Sequence, residues 1–73
     1  MSVGDRTIWC TVKIRALDIE VGDVIRNAFG KWDVVKSVNV HSDGWYVTAG
    51  CEVGGGVTHR VVQLVDIQVA KPS

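Results

Sequence analysis

Ala16-Leu17-Asp18-Ile19-Glu20-Val21-Gly22-Asp23-Val24-Ile25 is the stretch whose reading decides the fold. Asp18 and Glu20 alternate with Ile19 and Val21, so extended backbone here sends the acids to one side and the apolar residues to the other. Gly22-Asp23 then breaks the run, because glycine takes positive φ without steric cost and aspartate bonds its own nearby backbone. Val24-Ile25 restarts a β-rich sequence. The stretch therefore reads as a strand end, a tight polar turn and a second strand, with Ile19 and Ile25 buried on either side of a glycine.

Upstream, Thr7-Ile8-Trp9-Cys10-Thr11-Val12-Lys13-Ile14 alternates cleanly. Ile8, Cys10, Val12 and Ile14 share one face; Trp9, Thr11, Lys13 and Arg15 share the other. This is a half-buried antiparallel strand with a polar, Trp-bearing outer face. Downstream, a strand near residues 23–28 runs into Asn27-Ala28-Phe29-Gly30, a hairpin loop in which Gly30 wants positive φ. Residues 31–40 form the longest strand candidate, but Val35 and Val38 are an odd number of residues apart, and so are Trp32 and Val35. That break of parity at Lys36-Ser37 predicts a bulge or sharp bend.

Ser42-Asp43-Gly44 is the strongest turn signal, followed by a strand over 45–51 rich in aromatic and branched residues. Gly54-Gly55-Gly56 reads as a flexible loop tip, 58–62 as a returning strand and Gln63-Leu64-Val65-Asp66 as a short helical turn. Ile67-Gln68-Val69 closes the set. No segment carries apolar residues at helical spacing over helical length. The fold expected is all-β: a small SH3-like antiparallel barrel of five or six bent strands with no long helix. Its expected core is Ile14, Ile19, Ile25, Val35, Val38, Val47 and Ile67. Residues 1–6 read as an N-terminal tail, 7–70 as one barrel domain and 71–73 as a C-terminal tail.

The spacing Ala16-x-Asp18-Ile19-x-x-Gly22-Asp23-x-Ile25, with Gly30-Lys31-Trp32 and Val35-x-x-Val38 after it, resembles the opening of small SH3-like barrels. These include Hint-like barrels and actinobacterial or phage-encoded barrels of unassigned role, and the resemblance covers about half of the 73 residues. It implies that Trp32 is a core-facing aromatic. Val21-Gly22-Asp23-Val24-Ile25, Gly30 and Val34-Val35 also resemble the KOW-type barrels of ribosomal and transcription proteins. This chain departs from that pattern, since no second glycine follows Gly30 in the 32–38 run. Such barrels serve many unrelated purposes.

A chain of 73 residues is one small domain, and 47% apolar residues are ample for one core. Eight basic and eight acidic residues cancel, which removes long-range attraction for nucleic acid or an anionic membrane. No apolar run is long enough to span a bilayer. Met1-Ser2-Val3-Gly4-Asp5-Arg6 lacks a basic segment followed by an apolar one, so cytoplasmic residence is expected. Cys10 and Cys51, the two cysteines, read as reduced structural thiols in that setting. The alternative is a disulfide, which needs their Cα atoms within about 7 Å. His41 and His59 could complete a four-ligand zinc set with them, but no metal-ligand spacing is present; neither metal nor cofactor is expected.

Each chemical candidate meets a plainer reading. A phosphate-cradling loop must open a helix, whereas Val57-Thr58-His59 after the triple glycine reads as strand. His59 with Asp66, or His41 with Asp43, could serve as base and orienter beside Cys51, but all three groups would have to converge. No enzyme is expected. Arg6, Lys13, Arg15, Arg26, Lys31, Lys36 and Arg60 could line a nucleic-acid face only if they shared one side, and Asp18, Glu20, Asp23 and Asp33 oppose it.

Three tryptophans in so short a chain carry more information. Exposed Trp is enriched at binding hot spots, often beside Arg, so Trp9, Trp45 and Arg60 are the partner-binding candidates; the alternative for both tryptophans is that they cap open barrel ends. The expected function is a non-enzymatic protein-binding module, phage-encoded and acting on a host or virion protein; the alternative is an RNA- or DNA-binding KOW-like barrel. Part of residues 7–14 exceeds what a minimal barrel needs and leaves an unpaired edge, which predicts a homodimer or larger assembly through Thr7 to Ile14.

Overall fold

The computed structural model describes residues 7–72. The expected tail over 1–6, with Arg6, and Ser73 lie outside the described residues. Six antiparallel strands follow one another: β1 (Thr7–Arg15), β2 (Val24–Arg26), β3 (Trp32–Val40), β4 (Tyr46–Cys51), β5 (Gly55–Arg60) and β6 (Leu64–Pro72). Their spatial order is β1-β6-β2-β3-β4-β5, so β1 and β5 are the edges. The protein is all-β, and a 3-10 turn at Ala16–Asp18 is the one helical element among the described residues. The sheet bends without closing by strand pairing. Main-chain bonds from Ala16 N–H to the Gln63 carbonyl (2.8 Å) and from Leu17 N–H to the Val61 carbonyl (3.0 Å) cross the remaining gap.

The bend occurs where parity breaks. Val35 pairs with Cys51 and Ser37 with Gly50, leaving Lys36 as the extra residue of a bulge. A bulge increases local twist, and here it swings β3 from its partner β2 to its partner β4. Gly30 and Gly44 take φ of 76° and 74° at the two hairpin turns expected of them.

The deciding stretch reverses the chain, but not by the expected strand end. Ala16, Leu17 and Asp18 form the 3-10 turn, so the alternation of Asp18 and Glu20 does not come from a strand. Asp23 makes the turn: its carboxylate accepts from Glu20 N–H at 2.8 Å, and its own N–H reaches the Glu20 carbonyl. Gly22, at φ 98°, donates to the Val35 carbonyl, and Val35 N–H returns a bond to the Asp23 carbonyl. The turn is thereby laced to β3 before β2 begins.

The core holds Ala16, Ile19, Ile25, Val35, Val47, Ala49, Cys51, Val65 and Ile67. Five of the expected residues, Ile19, Ile25, Val35, Val47 and Ile67, are in that cluster; Ile14 and Val38 pack against it from partly buried positions. Trp32 departs from expectation. On β3 the buried residues are Asp33 and Val35, so Trp32 faces the other way, with the Arg26 guanidinium 4.3 Å over its ring.

Three boundaries also move. Gln63-Leu64-Val65-Asp66 contributes no helical turn; Leu64 starts β6 opposite Arg15. Lys71 and Pro72, expected in a tail, continue β6 opposite Ile8 and Thr7. Gly55 and Gly56 open β5 rather than a loop tip, pairing with Cys51 and Gly50.

Candidate functional site

The Asp-Gly turn at 43–44 sets where β4 starts. The Asp43 carboxylate accepts from Trp45 N–H at 2.9 Å, and His41 N–H donates to the Tyr46 carbonyl at 2.8 Å. Trp45 is left 63% exposed at the end of the sheet and Tyr46 41% exposed beside it. The β4–β5 register then puts Arg60 directly opposite Tyr46, on the same face of the sheet. The His41 ring lies 6.0 Å from the Tyr46 ring. Below them, Thr48 Oγ1 is 2.8 Å from His41 Nε2 and 2.8 Å from Thr58 Oγ1, which holds that face in one arrangement.

The chain continues the surface past Arg60. Val61 N–H donates to the Trp45 carbonyl at 3.0 Å, and its own carbonyl accepts from Leu17. Exposed Leu17, Trp45 and Val62 are therefore brought to one end of the sheet by main-chain bonds. Arg60 belongs to none of the ion pairs among the described residues, which join Lys13 to Asp66 (2.7 Å), Arg15 to Asp18 (3.1 Å) and Lys36 to Glu52 (3.7 Å).

Of the three residues singled out from sequence, Trp45 and Arg60 lie at the same end of the sheet, Arg60 opposite Tyr46 and Trp45 bonded through its carbonyl to Val61; Trp9 does not. Trp9 lies on β1 opposite Ala70. Six residues of strand separate it from Arg15, or about 20 Å at 3.3 Å per residue. Sequence alone does not single out Tyr46, Leu17 and Val62: their grouping depends on the β4–β5 register and on Val61, and no local pattern encodes either.

The other candidates are scattered. Cys51 is buried against Val35 and Gly55. Burial pushes its thiol up, and the Asp33 charge adds to the effect, which disfavours the thiolate that a nucleophile requires. His59 pairs with Val47, four residues from Cys51 along β4. Asp66 is engaged by Lys13, and the Asp43 carboxylate caps Trp45. Cys10 and Cys51 are both free thiols. Among the described residues no three His, Cys, Asp or Glu side chains converge as metal ligands, and no pocket is enclosed. Among the described residues no helix is long and apolar enough to cross a membrane.

His59 carries a cost of its own. Its Nε2 is buried and meets no hydrogen-bond partner among the described residues. An orphaned polar atom of this kind costs about 1–3 kcal/mol, and an apolar replacement of similar shape can relieve it. His59→Leu is therefore expected to raise the thermal midpoint, by about 4–8 °C for each kcal/mol recovered. A lowered midpoint in a circular-dichroism melt would mean that the imidazole is better satisfied than this geometry allows.

Comparison with known proteins finds no matching family model, no matching curated protein and no matching solved structure.

Proposed function

We propose that this chain is a non-enzymatic protein-binding module whose contact face is the end of the sheet carrying Trp45, Tyr46 and Arg60. One observation carries the reading: a largely exposed tryptophan stands beside a tyrosine, and an arginine outside the ion pairs of the described residues lies opposite that tyrosine. Trp, Tyr and Arg are the residue types most enriched among binding hot spots, because each adds large contact area with a polar handle. Exposed Leu17 and Val62 widen the apolar part. The partner that fits is a protein segment with an apolar side chain for Trp45 and a carboxylate for Arg60.

The spacing around Gly22-Asp23 supports a place among SH3-like barrels of the Hint-like, actinobacterial and phage-encoded kind. A phage-encoded role against a host or virion protein, in the cytoplasm, belongs to the same proposal. The alternative, an RNA- or DNA-binding KOW-like barrel, needs unpaired basic residues on one face. Three of the candidates, Lys13, Arg15 and Lys36, sit beside carboxylates, and Arg26 covers Trp32, all of which favours the protein partner.

A gel-shift titration with duplex DNA and single-stranded RNA at low salt separates the two. The expected result is no tight binding to either. Tight binding that weakens steeply with salt, as phosphate contacts require, would transfer the assignment to the alternative.

A further inference from the structure

The β1–β6 pair outruns the rest of the molecule. β2 pairs with β6 only at Ile67 and Gln68, whereas β1 pairs with β6 all the way from Arg15 to Thr7. Beyond Gln68 the two strands continue as an unsupported ribbon, Thr7 to Cys10 against Val69 to Pro72, and the molecule measures 50 × 22 × 18 Å. A two-stranded ribbon is marginally stable by itself in water.

The inner face of this ribbon is a continuation of the core. Ile14 pairs with Val65, Val12 with Ile67 and Cys10 with Val69, so one apolar stripe runs outward from the packed end. On β6 burial falls along it, from Val65 and Ile67 at 8% and 7% exposed to a half-buried Val69, and on β1 the stripe is more open, with Val12 39% exposed and Ile8, at the tip, 51%. The outer face is closed by polar pairs instead, Thr11 with Gln68 and Lys13 salt-bridged to Asp66. The free edge of β1 adjoins the stripe, and its only charges, Lys13 and Arg15, lie at the packed end, leaving 8–12 without the edge charges that block strand addition.

We infer that a second copy of this chain covers the stripe, with the two β1 edges pairing antiparallel across a two-fold axis near Thr11. The sequence of β1 is self-complementary in that register. Ile8 falls opposite the partner's Ile14, Cys10 opposite the partner's Val12, and Thr11 opposite its own mate. Trp9 meets the partner's Lys13 in cation–π reach, and the basic residues of the two strands are held apart; a parallel pairing would stack them. Directly opposite residues share a face, so the exposed tip of each ribbon lies beside the packed end of the other, and the two apolar stripes become continuous. The contact is isologous, as a closed dimer requires. Trp45, Tyr46 and Arg60 stand outside the paired strands, at the start of β4 and the end of β5.

Sedimentation of the full chain at micromolar concentration tests this alongside two variants. Wild type is expected to run as a dimer. Ile8→Lys, at an exposed position that leaves the fold intact by circular dichroism, is expected to run as a monomer. Thr11→Cys in a Cys10→Ser background is expected to form a disulfide-linked dimer under mild oxidation, since directly opposite antiparallel Cα atoms stand about 4.5–5.5 Å apart. A monomeric wild type, or a dimer indifferent to Ile8→Lys and not cross-linked through position 11, overturns the inference.

Discussion

Gly54→Ala is expected to destabilise this protein more than any other single-methyl change in its turns. A Cβ at Gly54 would stand 2.5 Å from both Cβ and Nδ2 of Asn27, and 2.6 Å from its Cγ. The asparagine cannot step aside. Its Oδ1 accepts from Phe29 and Lys31 N–H at 2.9 and 3.1 Å, and its Nδ2 donates to Asp33 Oδ2 at 2.9 Å. Relieving the clash means breaking that set or pushing the 52–54 turn outward and losing the 2.8 Å bond from Gly54 N–H to Asp33. Overpacking of this kind costs about 1–3 kcal/mol. For a domain of this size each kcal/mol lowers the melting temperature by about 4–8 °C. A thermal melt followed by circular dichroism reads the effect; an unchanged midpoint would mean that the turn does not rest on the β2–β3 hairpin.

The second large effect is acid lability centred on Asp33. This buried carboxylate gathers Asn27 Nδ2, the N–H groups of Val53 and Gly54, and Val34 N–H at 2.8 Å. Donation from the Asn27 amide, joined by the Gly54, Val34 and Val53 N–H groups, holds its carboxyl below the ordinary value against an opposing contribution from burial. A carboxyl whose pKa is lower folded than unfolded stabilises the fold above its unfolded value, about 3.9, and that contribution is lost as pH falls through the folded value. The urea midpoint of wild type is therefore expected to fall below about pH 4. Asp33→Asn points an amide N–H2 or loses an acceptor where four donors converge, so it is expected to lower the midpoint at pH 7 and to flatten the acid limb. The gap between the two proteins narrows toward pH 3. A parallel pair of curves, with the same separation at pH 7 and pH 3, would show that Asp33 is not the group responsible.

These two residues also show where sequence reasoning stops. Turn glycines at 30 and 44 and the bulge at Lys36 were legible, because each follows from a local rule: positive φ at a hairpin, or a break in two-residue parity. In sequence Asp33 groups with the acids that oppose a nucleic-acid face and Trp32 resembles a core-facing aromatic, whereas Asp33 is buried and Trp32 lies half-buried on the other face of β3. The donors that make burial of a carboxylate tolerable come from Asn27 and from Val53 and Gly54, twenty residues further on, and no window of sequence contains them together. The triple glycine looks like a loop tip in sequence for the same reason. Gly54 is required by the closeness of Asn27, and Gly55 by a φ of 73°.

The start of β6 was hidden differently. Leu64 is 60% exposed, which masks the alternation of a strand, and it is the pairing with Arg15 that extends β6 there. The candidate site was half legible. Trp45 and Arg60 are conspicuous as residue types, but only the β4–β5 register reveals that Tyr46 faces Arg60, and only the ribbon shows that Trp9 belongs elsewhere.

The proposal that the Trp45 end binds a protein is tested most directly by parallel affinity capture from nuclease-treated host lysate, using wild type, Trp45→Ala and Trp9→Ala. Trp45 is exposed, so its truncation is expected to change stability by no more than about 0.5 kcal/mol; a melt of each variant checks that all three are folded. The expected result is a protein retained in proportion by wild type and Trp9→Ala and lost with Trp45→Ala. Equal retention by all three, or retention that disappears with nuclease treatment alone, would contradict it.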